Sequence, residues 1–356
     1  MKASDYYMNQ ILGGSGGGGI TPTGEISITE NGNYDVTSYA SAEVDVPQPS
    51  GTKTISITEN GTTTEDVTAY ASAEITVDVP VTGYTMKDIA ERQIVGGISG
   101  NASYIASYAF YYYRGLTFVD FPDVVNIFDY CFAGCYSLSS ANFQKVTGIG
   151  MYAFTLCSSL VDISFPSATS IGYGAFASCI HLSEAFFSMV SDVGEDAFFR
   201  AYGLKTIDLP LAINIGSRAF QQCSSIINIS FPMAESIGSA CFGSCRALEE
   251  VTLPEAKIID RYAFGTCSNL SMVKIPKITS IGSSAFSGNF KLLSLYITSI
   301  SQVPTLNTSV FAYSPIGGYT NYTGGVYGSV YVPASLYSDF LTAQNWSSIA
   351  DRIVSV

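Results

Sequence analysis

The 356-residue chain is poor in the groups that most chemistry needs. It has one histidine, one tryptophan and sixteen Lys and Arg residues. Charged residues make up 13% of the chain, about half the usual share. With so few cations and no basic stripe, phosphate-backbone recognition is excluded, and nucleic acid is not an expected partner. The sole histidine, His181, occupies a variable position beside a recurring leucine, which argues against Ser-His-Asp or Cys-His catalysis. No run approaches 18 apolar residues, so no membrane insertion is expected. The opening stretch Met1–Leu12 also lacks the apolar core of a secretory signal. There is no Cys-x-x-Cys pair, and neither a metal nor any other cofactor is expected. The excess of acid is uneven: residues 1–100 hold thirteen acids against four bases.

What the chain does have is a period. Phe110, Phe132, Phe154, Phe176, Phe198, Phe220, Phe242, Phe264 and Phe286 recur every 22 residues, seven of them preceded by Ala. A second column runs from Ile105 to Ile281, usually followed by Gly, and a third from Leu116 to Leu292. Each rung reads Leu-x-x-Ile-x-Phe-Pro, four residues, then Ile-Gly-x-x-Ala-Phe-x-x-Cys-x-x. In Leu160–Pro166, apolar Ile163 and Phe165 alternate with Asp162 and Ser164, the period of a strand with one buried face. Proline then ends the strand, and Gly is expected to serve a tight corner. One rung cannot bury its own apolar side, so equivalent columns must stack.

These residues resemble the bacterial BspA-like leucine-rich repeats over about residues 100–299, in a 22-residue variant of the kind found in gut bacteria and their phages. The resemblance implies a curved solenoid used for adhesion or recognition, without catalytic activity. The expected fold is a mainly β, leucine-rich-repeat-like parallel-strand solenoid with small N-terminal β-hairpin modules and a C-terminal strand–helix cap. Its parts are a tag and Gly linker (1–20), β modules (21–49 and 50–82), a solenoid N-cap (83–100), nine rungs (101–299) and a C-terminal cap (300–356).

The two modules rest on Ile26-Ser27-Ile28-Thr29-Glu30-Asn31-Gly32 and its recurrence from Ile55 to Gly61, since Asn-Gly between alternating runs signals a hairpin. They resemble a tandem element near the start of phage and prophage structural proteins. The Gly13–Gly19 run contains GxGxxG, but no strand precedes it, so it reads as a linker. Asp88–Ile94 is expected to form a helical turn or two over the open end. Trp346 is expected to be buried in the cap.

Cys135, Cys157, Cys179, Cys223, Cys245 and Cys267 form a ladder whose parallel side-chain vectors suit buried free thiols better than disulfides. Function is expected on the outward-facing strand residues instead. Those chosen are Phe118, Asp162, Glu184, Phe186, Asp208, Glu250, Met272 and Tyr296. Aromatics at wet positions are the usual anchors of an interface. The acids raise glycoside hydrolysis as a weaker option, the solvated polar face being the plainer reading.

The expectation is a non-catalytic virion surface protein, such as a tail fibre, head fibre or receptor-binding adhesin. It would join other virion proteins through its N-terminus and a host surface protein or glycan through the solenoid. The alternative is a bacterial cell-surface or secreted adhesin. A homo-oligomer is compatible with either, although no heptad repeat enforces one.

Overall fold

In the computed structural model, the described residues are 103–356 together with the strands Glu25–Ile26, Val36–Thr37, Ala73–Val77 and Gly96–Gly100. Glu25–Ile26 and Val36–Thr37 pair antiparallel. The rest of the two N-terminal modules, the Gly run and the 88–94 turn lie outside the described residues.

The chain from Gly96 onward winds as a parallel-stranded solenoid. Each rung lays down a three-residue strand, turns at the Pro position, lays down a two-residue strand, and returns through a pair of tight turns around Ala-Phe. The two-residue strands form one unbroken ten-stranded parallel sheet from Tyr104–Ile105 to Thr305–Leu306. The longer strands form a first sheet in three hydrogen-bonded runs. The first run contains Ala73–Val77, Gly96–Gly100, Leu116–Asp120 and Ser140–Asn142; the second contains Asp162–Ser164, Glu184–Phe186 and Thr206–Asp208; the third runs from Asn228–Ser230 to Ile353–Ser355. Between repeats the register advances by 22 residues, as in Asp162↔Glu184↔Thr206.

The solenoid extends past both ends of the periodic pattern. Gly96–Gly100 is a strand paired with Leu116–Asp120, although its Gly-Gly-Ile-Ser-Gly sequence carries no repeat leucine. After Ile281 a three-residue insertion delays the next rung, and Thr305–Leu306 still continues the second sheet. Phe311 stacks on Phe286 at 6.0 Å, so a tenth phenylalanine joins the column.

Inside, the Phe110-to-Phe286 rings stack nearly parallel with centroids 5.0 to 5.5 Å apart. A second column, Phe121, Phe143, Phe165 and Phe187, stacks beside it at 5.7 to 6.3 Å. Its rings tilt against the first column, by 61° for Phe154 and Phe165. Each buried ring contributes on the order of 1.5–3 kcal/mol relative to exposure, and these pairings supply the offset and edge geometries that aromatic quadrupoles favour.

The return side has an unusual backbone. The residue before each Ala-Phe pair and the one two after it have positive φ, from Tyr108 and Tyr112 to Ser309 and Tyr313. Only Gly134, Gly174 and Gly288 among these are glycines. Such a conformation costs a non-glycine residue about 1–2 kcal/mol. It turns alternate N–H groups along the stack: Tyr108, Phe110 and Tyr112 donate to the carbonyls of Asp129, Cys131 and Ala133 at 3.0, 2.8 and 2.7 Å. This third ladder offsets the strain.

The glycines of Ile-Gly work differently from the expected corner role. They have no positive φ. A Cβ on Gly172 would stand 2.7 Å from the carbonyl oxygen of Ile149, and one on Gly194 2.6 Å from that of Ile171. Close approach of successive rungs, not turn conformation, selects glycine there.

At the C-terminal end, Ser329–Val332 extends the first sheet, and a short 3-10 turn leads into helix α1 (Tyr337–Thr342). A second 3-10 segment follows, Trp346–Arg352, and then Ile353–Ser355 pairs parallel with Ser329–Val332. The cap is therefore strand, helix and strand. Trp346 is fully buried, and its Nε1 donates to the Pro304 carbonyl at 2.7 Å. Among the described residues no helix is long and apolar enough to cross a membrane.

Candidate functional site

The outer face of the first sheet carries the eight residues singled out from the sequence. In most of the three-residue strands the middle side chain is buried, as Ile163, Ala185, Val251 and Val273 are, while Ala141 and Ile207 are half-buried, and the flanking two point away from the core. Register then decides which outer residues are neighbours. Asp162 lies opposite Glu184, Phe186 opposite Asp208, and Glu250 opposite Met272.

The centre of this face is one compact group. Asp162, Glu184, Phe186 and Asp208 occupy three consecutive strands and are all exposed. Phe186 is 38% exposed and lies in register between Ser164 and Asp208, two residues along its strand from Glu184. Glu184 stands beside Asp162, and directly opposed like charges weaken a sheet. That cost is consistent with a face kept for contact with something else.

The flanks are less open than alternation alone suggests. Phe118 is half-buried because its ring lies over Gly97, where a Cβ would fall on the ring atoms. Tyr296 is half-buried because Tyr331 stacks on it, centroids 4.5 Å apart and planes 10° from parallel. Glu250 is exposed and Met272 partly so. Elsewhere on the face, Asn142 donates to Asp120 at 2.6 Å.

The remaining chemistry-bearing groups have structural roles. All eight cysteines are buried and unpaired. Burial pushes the Cys179 and Cys267 thiols up to about 12, and the others also rise. His181 is exposed, and its Nδ1 donates to the Ser158 carbonyl at 2.6 Å. Arg218 grips Asp196 through Nε and Nη2 at 2.8 and 2.7 Å, reaches Glu195 at 2.7 Å, and Tyr173 donates to the same Asp196 at 2.9 Å. Side-chain hydrogen bonding to Asp196 is the main reason that the Arg218 guanidinium holds its proton more tightly than usual. Among the described residues no three His, Cys, Asp or Glu side chains are grouped to hold a metal ion.

Two aromatic groups were not singled out from the sequence. Tyr331 pairs with Tyr296 across a 35-residue step, which falls outside the 22-residue period. Phe290 lies 4.7 Å from Tyr322, and Arg352 sits 3.8 Å over the Tyr327 ring. The signal for that second group is the tyrosine density between 313 and 327.

The BspA type leucine rich repeat region matches residues 97–205 and 191–316 in six copies, more than half of the chain. Among solved structures, a leucine-rich repeat protein from Bacteroides ovatus is 18% identical, with a TM-score of 0.43, over 87% of this chain and 99% of its own. A leucine rich cell surface protein from Faecalibacterium prausnitzii is 20% identical, with a TM-score of 0.34, over 71% and 94%. The T. pallidum leucine rich repeat protein is 21% identical, with a TM-score of 0.29, over 62% and 83%. No curated protein matches the chain.

Proposed function

Because the chain belongs to the BspA-type leucine-rich repeat family, whose members are surface proteins with adhesive or binding roles, we propose that it is a non-catalytic adhesin that uses the outer face of its first sheet. The observation that carries this reading is the exposed ring of Phe186 among Asp162, Glu184 and Asp208 on three adjacent strands. A rigid sheet presents them without ordering cost, and an aromatic beside charged groups is a common anchor for a protein or glycan. Glu250 and Met272 extend the face, with Tyr296 and Phe118 at its ends.

Two settings fit such an adhesin. One is a virion surface, as a tail fibre, head fibre or receptor-binding protein attached through its N-terminal region to other virion proteins. The tandem Ile-Ser-Ile-Thr-Glu-Asn-Gly elements and the Gly13–Gly19 run support it. The other is a bacterial cell surface or the extracellular space, which the family favours. Antibody against the purified protein, applied to phage particles and to cells, separates them.

The binding face is tested by Phe186→Ala and Glu184→Ala against arrayed glycans and immobilised cell-surface proteins. Folding should be unchanged and binding should fall at least tenfold. Full binding by both variants overturns the assignment. Release of reducing sugar from capsule polysaccharide by the pure protein overturns the non-catalytic reading.

A further inference from the structure

One residue after the Pro position, eight successive rungs set a side chain at the corner between the sheets, exposed on six of them and half-buried at Ser167 and Glu255. On successive rungs these are Asp123, Lys145, Ser167, Met189, Leu211, Met233, Glu255 and Lys277. Met189, Leu211 and Met233 are 50%, 43% and 48% exposed. Three large apolar side chains on three consecutive rungs make a stripe, unlike the scattered exposure that is normal on a surface. The column is continuous at both ends, since Lys145 meets Asp123 at 2.6 Å and Lys277 meets Glu255 at 2.6 Å.

We propose that this column is a dimer seam on which a second copy of the chain packs antiparallel. The two-fold axis would pass between the rungs of Met189 and Leu211. In that register Met189 faces Leu211 of the partner subunit, and Ser167 faces Met233 of the partner subunit. Lys145 faces Glu255 of the partner subunit, and Asp123 faces Lys277 of the partner subunit. All four charged contacts of each copy are then between opposite charges, because the column reads acid, base, Ser, Met, Leu, Met, acid, base. Half a rung away, with the axis through Leu211, Lys145 would face Lys277 of the partner subunit. The charges therefore select one register as well as tolerating it. Every copy shares the same rung spacing of about 4.8 Å, so one pairing propagates along the column.

Eight rungs span roughly 34 Å, and a strip on the order of 10 Å wide buries about 700 Å² over the two copies, less than a stable interface needs, so association is weak and reversible. The seam does not involve the outer face of the first sheet, so the dimer and the adhesin reading stand or fall separately.

The full-length chain should sediment as a reversible dimer at high protein concentration and as a monomer on dilution. Lys145→Glu and Glu255→Lys each place like charges at both symmetry-related contacts and should be monomeric there. Mixed one to one, they should form a heterodimer, because every 145–255 contact then joins opposite charges. Circular dichroism checks that both variants are folded. Register is tested by oxidising Lys145→Cys mixed with Glu255→Cys. A disulfide should join the two chains, since these positions lie five rungs apart within one chain and the eight native thiols are buried. A monomeric wild type, variants that still dimerise, or a mixture that stays monomeric each overturns the proposal.

Discussion

Cys157 Sγ donates to the carbonyl oxygen of Phe132, 25 residues back and one rung below, at 3.2 Å. The same contact recurs from Cys135, Cys179, Cys223, Cys245 and Cys267 at 3.0 to 3.2 Å. Each thiol donates to a carbonyl that also accepts the N–H three residues on, as the Phe110 carbonyl accepts from Tyr113. The cysteine ladder is thus an inter-rung hydrogen-bond device.

Asn289 interrupts that device. It occupies the thiol position one rung after Cys267, is fully buried, and both its side-chain Oδ1 and Nδ2 lack a partner. A buried, unsatisfied amide costs about 1–3 kcal/mol. Asn289→Cys should restore the thiol contact to Phe264 and raise stability by about that amount, read as a higher urea midpoint. A lower midpoint would mean that the amide has a buried partner, such as water.

The same burial predicts silence of the thiols. A thiol-specific disulfide reagent at pH 8 should modify none of the eight cysteines in the folded chain, because each is buried and its pKa lies well above that pH. All eight should react once the protein is denatured, at a rate that follows unfolding. Rapid reaction of any one in the native state would contradict the packing.

Much of this was legible in the sequence, and the gaps have identifiable causes. The Phe, Ile and Leu columns repeat with a fixed step, so the buried face and the exposure of Phe186 follow from alternation. The cover over Phe118 does not, because it needs Gly97 to be in a strand that lacks the repeat leucine. The stack of Tyr296 on Tyr331 crosses an irregular stretch that hides the next strand from any 22-residue search. The positive-φ positions leave no residue signature at all. They hold Tyr, Leu, Ser, Asp, Arg, Gln, Ala, Thr and Gly, since the inter-rung hydrogen bonds impose the backbone whatever the side chain.

The N-terminal tyrosines should make the fold alkali-sensitive. Tyr108 stacks on Tyr130 with centroids 4.9 Å apart, and Tyr152 lies tilted against Tyr130 at 5.1 Å. Burial, then neighbouring tyrosines, pushes Tyr130 and Tyr112 up to about 12. A folded-state pKa raised above the unfolded value near 10 means that the stabilisation is fully present below pH 10 and is lost as pH rises through 12. Ultraviolet titration should show these two ionising about two pH units late, and Tyr130→Phe should flatten the stability loss between pH 10 and 12. Ordinary ionisation of every tyrosine near pH 10 would refute the packed ladder.

The two kinds of backbone constraint make opposite predictions for an alanine–glycine exchange. At Gly194 the backbone conformation is ordinary, but a Cβ would stand 2.6 Å from the Ile171 carbonyl oxygen and 2.8 Å from the Gly172 carbonyl carbon. Neither neighbour can rotate away, because both are main-chain atoms of the rung below. Gly194→Ala should therefore cost about 1–3 kcal/mol, the range for overpacking a close-packed interior. At Ala240 the situation is reversed. Its φ is +52°, so the existing Cβ already carries a left-handed penalty of about 1–2 kcal/mol. Ala240→Gly removes that penalty and adds about 0.5–1 kcal/mol of unfolded-chain entropy. The net effect should lie between no change and a gain of about 1.5 kcal/mol. Urea unfolding of the two variants side by side distinguishes close approach from turn conformation as the source of each requirement. If Ala240→Gly lost as much stability as Gly194→Ala, the third ladder would not be holding that residue under strain.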